Sequence, residues 1–383
     1  MKKSLIAVAV ASAFAAPAAM AEVTLSGAIN IGIELSKSSA GPGGGSSLTK
    51  TQLNRNYSHI DIESVDDIGG GNKVIFHYQI VASPQALNQA GDLTNRNSFL
   101  GIAGGWGAFK MGTNENVYER FMYTADPLDG ALGPGGNLMI LGTPGAGTAF
   151  DVGQQNGGAG FYRRTDHTIW YESPNFSGFT FEVDYTLSAF KTPSPGSTDP
   201  RVISIGGKFQ PEGAPFYVDL AYERHDDLFG LETIAASFGA PAGAPTSSKD
   251  TGIQLGGGLM LGDLGLHLRF ERLKYEETGV VAANEYKRNA VWFGVKYNLP
   301  SGYVGAELGI AGNGKADGQK VDNSGARMFG VGYFHNLSKQ SQLQFIYGRT
   351  DNKDAASYTQ ASAPLGNPGS DHQVFHVGLK HTY

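Results

Sequence analysis

The chain has 383 residues, a formal net charge of -6, 55 glycines against 17 prolines, and no cysteine. No disulfide framework therefore holds it, no basic block marks it for nucleic acid, and its glycines follow no collagen period. Mean hydropathy is -0.22, and no apolar run after the N-terminal one approaches the roughly 20 residues of a spanning helix, which excludes a helical membrane bundle.

Lys2 and Lys3 precede an apolar stretch from Leu5 to Ala16, and Ala19-Met20-Ala21 is a small-x-small cleavage site. Residues 1–21 read as a secretory signal peptide, with a mature chain from Glu22. Its removal takes two lysines, so residues 22–383 carry -8 in place of -6.

Strand periodicity starts at once. Val23, Leu25, Ile29, Ile31, Ile33 and Leu35 oppose Thr24, Ser26, Asn30 and Glu34, and an apolar/polar alternation of period two is the pattern of a strand with one greasy and one wet face. The pattern returns in Phe179–Leu187, in Phe216–Glu223, in LGLHLRFE, AVWFGVKYNL and LQFIYGR, and in the last segment, where Phe375, Val377, Leu379 and Tyr383 oppose His376, Gly378, Lys380 and Thr382. Short turn signals (DDIGGGN, GGWG, SPNFSG, PEGAP, LGDLG, LPSG, HNLSKQ) alternate with longer polar stretches, so connections are short at one end and long at the other.

About sixteen strands of roughly ten residues match an outer-membrane barrel. A soluble sandwich also alternates, but one of this length would break into two or three domains, and no break is visible after residue 22. Closure is the solution that leaves no unpaired edge in lipid. The fold expected is all-β: a transmembrane antiparallel barrel.

Three stretches carry a family resemblance: TNRNSFLGIAGGWGAFKMG, then YRRTDHTIWYESPNFSGFTFEVDY, and FGVGYFHNLSKQSQLQFIYGRTDNKDA with the final strand. Together they resemble the Gram-negative trimeric porins of the general-diffusion and anion-selective type, over residues 22–383. The resemblance implies a sixteen-stranded barrel with its third loop folded inward. It also implies a homotrimer in outer-membrane lipid and lipopolysaccharide, and a terminal aromatic, Tyr383, read by the barrel assembly machinery as well as anchoring in lipid. Small hydrophilic solutes and ions would be its cargo, without cofactor, nucleic acid or metal.

The third long connection, residues 114–160, carries Glu115, Glu119, Asp126, Asp129 and Asp151 against one basic Arg120. In the family this loop narrows the lumen, so its acids, Glu115, Glu119, Asp126 and Asp129 foremost, are expected on one side of the constriction. Carried over onto matching positions, Arg96 and Arg164 fall on pore-wall arginines. Strand parity adds Arg55 and His59, which share a face with Asp61, and Lys110, which opposes Phe109 and Met111. The same parity puts Leu100 and Ile102 inward with Arg96, under the loop, and leaves Arg163 at a rim or interface. Departures from the family pattern are His59 for an arginine, Thr113 for an arginine, Gln79 for a glutamate and Ala28 for a lysine, which makes a less charged constriction.

Acids facing bases across a narrow aqueous gap set up a transverse field and bias ion entry. No P-loop, GxGxxG, GxSxG or HExxH pattern is present, so passive diffusion is the first reading. The nearest rival is a channel specific for one class of small solute, anions among them; more remote are a barrel hydrolase, for which His225 and Asp226 form the best local pair, and an adhesive surface protein. His372 and His376 face one way but lie about 13 Å apart along a strand, too far to share a metal, and His381 faces the other way.

Overall fold

The computed structural model describes residues 22–82, 84, 96–128, 133–145, 160–187, 199–229, 231, 247–277, 284–364 and 366–383. The proposed signal peptide, Asp129 and Asp151 lie outside the described residues. Among the described residues, nineteen strand segments join into one sheet. The first half holds β1 (Glu22–Ser38), β2 (Leu48–Arg55), β3 (His59–Gly69), β4 (Asn72–Val81), β5 (Ser98–Gly104), β6 (Gly107–Glu115), β7 (Arg164–Glu172), β8 (Phe179–Thr186) and β9 (Arg201–Phe209). Then come β10 (Phe216–Asp226), β11 (Ser248–Leu261), β12 (Leu264–Glu277), β13 (Glu285–Leu299) and β14 (Gly302–Ala311). The chain ends through β15 (Lys315–Ala316), β16 (Gln319–Lys320), β17 (Ala326–Asn336), β18 (Ser341–Asn352) and β19 (His372–Thr382).

Every neighbouring pair is antiparallel, and β19 returns to β1 with Ala28 opposite Thr382 and Ser38 opposite His372, so the sheet closes. β2 and β3 both pair with β1, Arg55 with Ile31 and His59 with Ala28, and are two parts of one wall strand interrupted at Asn56–Ser58. β15 and β16 form a small hairpin within a connection. The wall is therefore a sixteen-stranded antiparallel barrel.

Its chemistry follows from the period of two. Ile33, Leu35, Leu220, Leu255, Phe270, Phe293, Leu308, Phe329, Phe345, Phe375 and Val377 are exposed on the outer face. Their chain neighbours Glu34, Ala221, Gln254, Arg269, Trp292, Met328, Val374 and His376 are buried inside. Hydrocarbon outside offers no hydrogen-bond partner, and a closed ladder satisfies every backbone group without one. The short turns fall where their signals stand: Gly70 and Gly71 take left-handed φ of 64° and 77° between β3 and β4, and Gly262 takes 62° between β11 and β12.

Parity fails on β5. Leu100 and Ile102 are 51% and 46% exposed and face outward beside Phe76 and Val74, while Phe99 points inward against His77. The strand starts only at Ser98, so the alternation of β5 does not extend back to Arg96.

Candidate functional site

The long connection after β6 turns into the barrel. Glu115 ends β6, and the short helix α1 (Val117–Tyr123) lies against the inner wall. Its first amides are met by wall groups: Val117 N–H donates to Asp184 at 2.7 Å and Tyr118 N–H to Ser204 Oγ at 3.1 Å. A carboxylate and a hydroxyl there satisfy donors that a helix start leaves unpaired. Arg269 donates to the Phe121 carbonyl at 2.7 Å while holding Asp219 at 2.6 Å.

Further along, a one-turn segment η1 (Asn137–Met139) leads to Gly142, whose N–H donates to Glu271 at 2.7 Å. Arg288 pairs with Glu271 at 2.7 Å and donates to the Thr143 carbonyl at 2.7 Å. Two buried ion pairs thus pin the loop, each arginine also donating to a loop carbonyl, and such added hydrogen bonds help a buried pair to hold.

Inward-facing glycines give the loop its room. A side-chain carbon at Gly206 would strike Val117 and Phe121, at Gly294 and Gly305 it would strike Pro127, at Gly309 Ile140, and at Gly330 Leu128. The loop packs on the wall from β8 to β18 and leaves an open cavity of about 540 Å³ against β1, β3, β18 and β19. Asn30, Asn56, Tyr57, His59, Asp61, Gln344 and Lys380 line its wall side, and Tyr123, Asp126, Leu128 and Gly133 its loop side.

Three predicted arginines lie close to Tyr57 of this wall without lining the cavity themselves. Arg96 is 6% exposed and lies with its guanidinium 4.3 Å from the Tyr57 ring centre, and its Nε and Nη1 have no hydrogen-bond partner among the described residues. Arg55 is within electrostatic reach of it. Arg164 is ion-paired with Glu115, its cross-strand neighbour, and donates from Nε to Asn97 at 2.8 Å. His59 lines the cavity with Nε2 3.2 Å from Asp61, which His77 holds at 2.9 Å and Gln79 at 2.8 Å.

The loop acids do not form one row. Glu115 belongs to β6 and neutralises Arg164. Glu119 is fully buried and hydrogen-bonded to the Tyr123 hydroxyl; burial first, and then the charge of Glu115, push its carboxyl up to about 8, so it is neutral at pH 7. Asp126 reaches the cavity, accepting from the amides of Leu128 at 2.7 Å and Asn137 at 3.2 Å. Arg120 turns to the inner wall and pairs with Glu182, with Asp184 at 3.9 Å.

Lys110 faces inward, but towards the short-turn end, where it is paired with Glu172 at 2.6 Å and sits over Phe99. Arg163 is not at a rim: it is buried, with its guanidinium 4.5 Å from the Phe229 ring. The register shifts between Gly112 and Asn114 and His167 takes φ of 50°, so a bulge brings Arg163 inside despite its parity. His225 is buried against Glu223 at 2.8 Å and Phe161, while Asp226 pairs with Arg224. That hydrolytic pair does not meet. Tyr383 keeps the outer parity of its strand, yet its ring lies over Gly27 and borders the cavity. The wall groups that grip the loop, Asp184, Arg269, Glu271 and Arg288, were not singled out from sequence; their only signal is charge at inward positions of otherwise ordinary strands.

A closed sixteen-stranded barrel with an apolar exterior, a polar interior and an infolded loop narrowing an aqueous cavity is an outer-membrane channel for passive diffusion. The model of the Gram-negative porin family matches residues 7–355, and the chain belongs to that family. It is 27% identical to outer membrane porin protein 32 of Delftia acidovorans over the whole of both chains, and 30% identical to major outer membrane protein P.IB of Neisseria gonorrhoeae over 48% of each. Among solved structures it is similar to the anion-selective porin from Comamonas acidovorans, with a TM-score of 0.74 and 19% identity over 95% of this chain and 100% of that one. The trimer form of OmpT of Vibrio cholerae superposes with a TM-score of 0.61 at 13% identity, over 95% and 99% of the chains.

Proposed function

We infer that this channel passes small hydrophilic solutes and ions down their gradients with a preference for anions. The observation that carries this is Arg96: a buried guanidinium stacked on Tyr57, with Nε and Nη1 unmatched among the described residues, beside Arg55. Glu115 is spent on Arg164 and Glu119 is neutral, which leaves Asp61 and Asp126 as the acids that still line the cavity. A positive wall on a low-dielectric barrel focuses anions into the gap. A structural relative is an anion-selective porin, in keeping with this reading.

Transport rather than hydrolysis is the activity inferred, and the working unit a homotrimer, in keeping with the relative in trimer form. Lipopolysaccharide around the outer wall and recognition of Tyr383 by the assembly machinery belong to the same reading. A second reading, a channel tuned to one class of small solute, is favoured by the amides of Asn30, Asn56 and Gln344 in the cavity wall.

Planar-bilayer recording of the refolded protein under a potassium chloride gradient tests this. The expected result is stepwise conductance in threes with chloride favoured, and a chloride-to-potassium permeability ratio about two- to three-fold lower in Arg96→Ala, the effect of one charge roughly 7 Å from the ion path in water. A ratio indifferent to Arg96 would discard the anion reading and leave the pore. No current from folded protein would discard the channel.

A further inference from the structure

Beyond the loop, towards the short turns, the inner wall carries a second positive feature that the constriction does not use. Lys208 on β9 lies with Nζ 4.8 Å from the Tyr217 ring centre on β10. The Tyr217 hydroxyl is 3.0 Å from His267 Nδ1 on β12. Lys296 on β13 lies 3.9 Å from the Tyr303 ring centre on β14, and Tyr303 stacks on Phe334 of β17 at 4.3 Å. The register explains how side chains on separate strands reach one another: Gly258 stands between Tyr217 and His267, Gly294 faces His267, and Gly305 faces Lys296. Inward glycines alternate with long polar side chains, which are free to lean sideways across them.

The shelf lies directly below the loop. Gly206, which touches α1, and Gly294, which touches Pro127, are two residues from Lys208 and Lys296 respectively, on the side away from the turns. Of the carboxylates near it, Asp219, opposite Lys208, is held twice by Arg269 at 2.6 and 3.0 Å, and Glu307 is buried with one oxygen accepting from Trp292 at 2.6 Å. Lys110, by contrast, is matched by Glu172. An aromatic face steadies an ammonium without cancelling its charge, so Lys208 and Lys296 present full positive charge to the lumen.

We propose that Lys208 on Tyr217 and Lys296 on Tyr303, four strands apart on the short-turn side of the constriction, form an anion station of two separate positive stops, each of which takes up small oxyanions, carboxylates and phosphates alike. It rests on the channel reading above and adds a second stop for the same ions. A weak site on each side of a narrow gap lets an ion enter and leave without being trapped. It also makes the pore two-sided, because the station faces one compartment only.

The test is single-channel recording of the full trimer for Lys208→Gln, Lys296→Gln and the double variant. The chloride-to-potassium permeability ratio is measured, and then the block of chloride current by inorganic phosphate and, separately, by acetate, added to each side in turn. Expected is a ratio about two- to three-fold lower per lysine, by the Coulomb argument used for Arg96. Both oxyanions should block better from one side in the wild type, with that difference lost in the double variant. Weakened block by one oxyanion alone would overturn the shared chemistry. Lys208→Arg with Lys296→Arg should keep both readouts, which separates charge from packing, and Lys249→Gln on the outer face should change neither. A conducting, anion-favouring wild type with an unaltered double variant overturns the station alone; a silent wild type overturns the channel reading beneath it.

Discussion

Glu119 sits where a carboxylate meets neither water nor a cation that pairs with it directly. Its folded value, pushed up to about 8, stands above the ordinary 4.5, so the folded protein binds a proton that the unfolded chain has released between those values. Stability should therefore fall as pH rises from about 4.5 to about 8 and level off above. Glu119→Gln should flatten that stretch of the profile, measured as the temperature at which the folded band of the trimer is lost on a gel between pH 5 and 9; a variant with the wild-type slope would place the proton elsewhere. Single residues were the least legible level of the sequence. Arg96 and Arg164 stand at motif positions that mark them in the sequence, whereas His59 directly follows a break in the wall strand at Asn56–Ser58. Arg163 was misplaced because the bulge at His167 has no mark in the residue pattern, and Glu119 because burial by its own loop cannot be counted along a chain.

The loop and the wall are one element in two pieces. Gly305 faces the Pro127 carbonyl so closely that any side chain must push the loop away, and Gly305→Val should cost about 1–3 kcal/mol while widening the pore. Larger unitary conductance with a lower unfolding temperature is the expected pair of changes, and unchanged conductance would mean that the loop yields without leaving the wall. Arg288→Met removes one partner of a buried pair and strands Glu271, which should cost about 3–5 kcal/mol and give noisy, fluctuating currents. The strands themselves were readable, because alternation is a property of neighbours. The grip was not, since Arg288 and Thr143 are 145 residues apart and nothing local marks either as the other's partner.

As a whole, the barrel is a polar interior wrapped in an apolar sleeve, and the sleeve has its own test. Phe293 is exposed to lipid in mid-strand, and Phe293→Lys should cost up to about 2–4 kcal/mol, read as a lower yield of refolding into vesicles at a given denaturant concentration. Yields equal to wild type would mean that Phe293 lies above the hydrocarbon. Architecture was legible from sequence almost entirely, because lipid outside and water inside impose one pattern on every strand. The seam is another matter. Glu34 and His376 touch across β1 and β19 although 342 residues separate them, so the two strands that close the wall are the first and the last to be made. No partial chain can zip shut as it emerges: until β19 arrives, both borders of the sheet are raw, with β1 unable to protect its own. Folding is then a single late event with slow, long-range ring closure at its heart. The cell must keep two distant edges apart from every other strand until they meet.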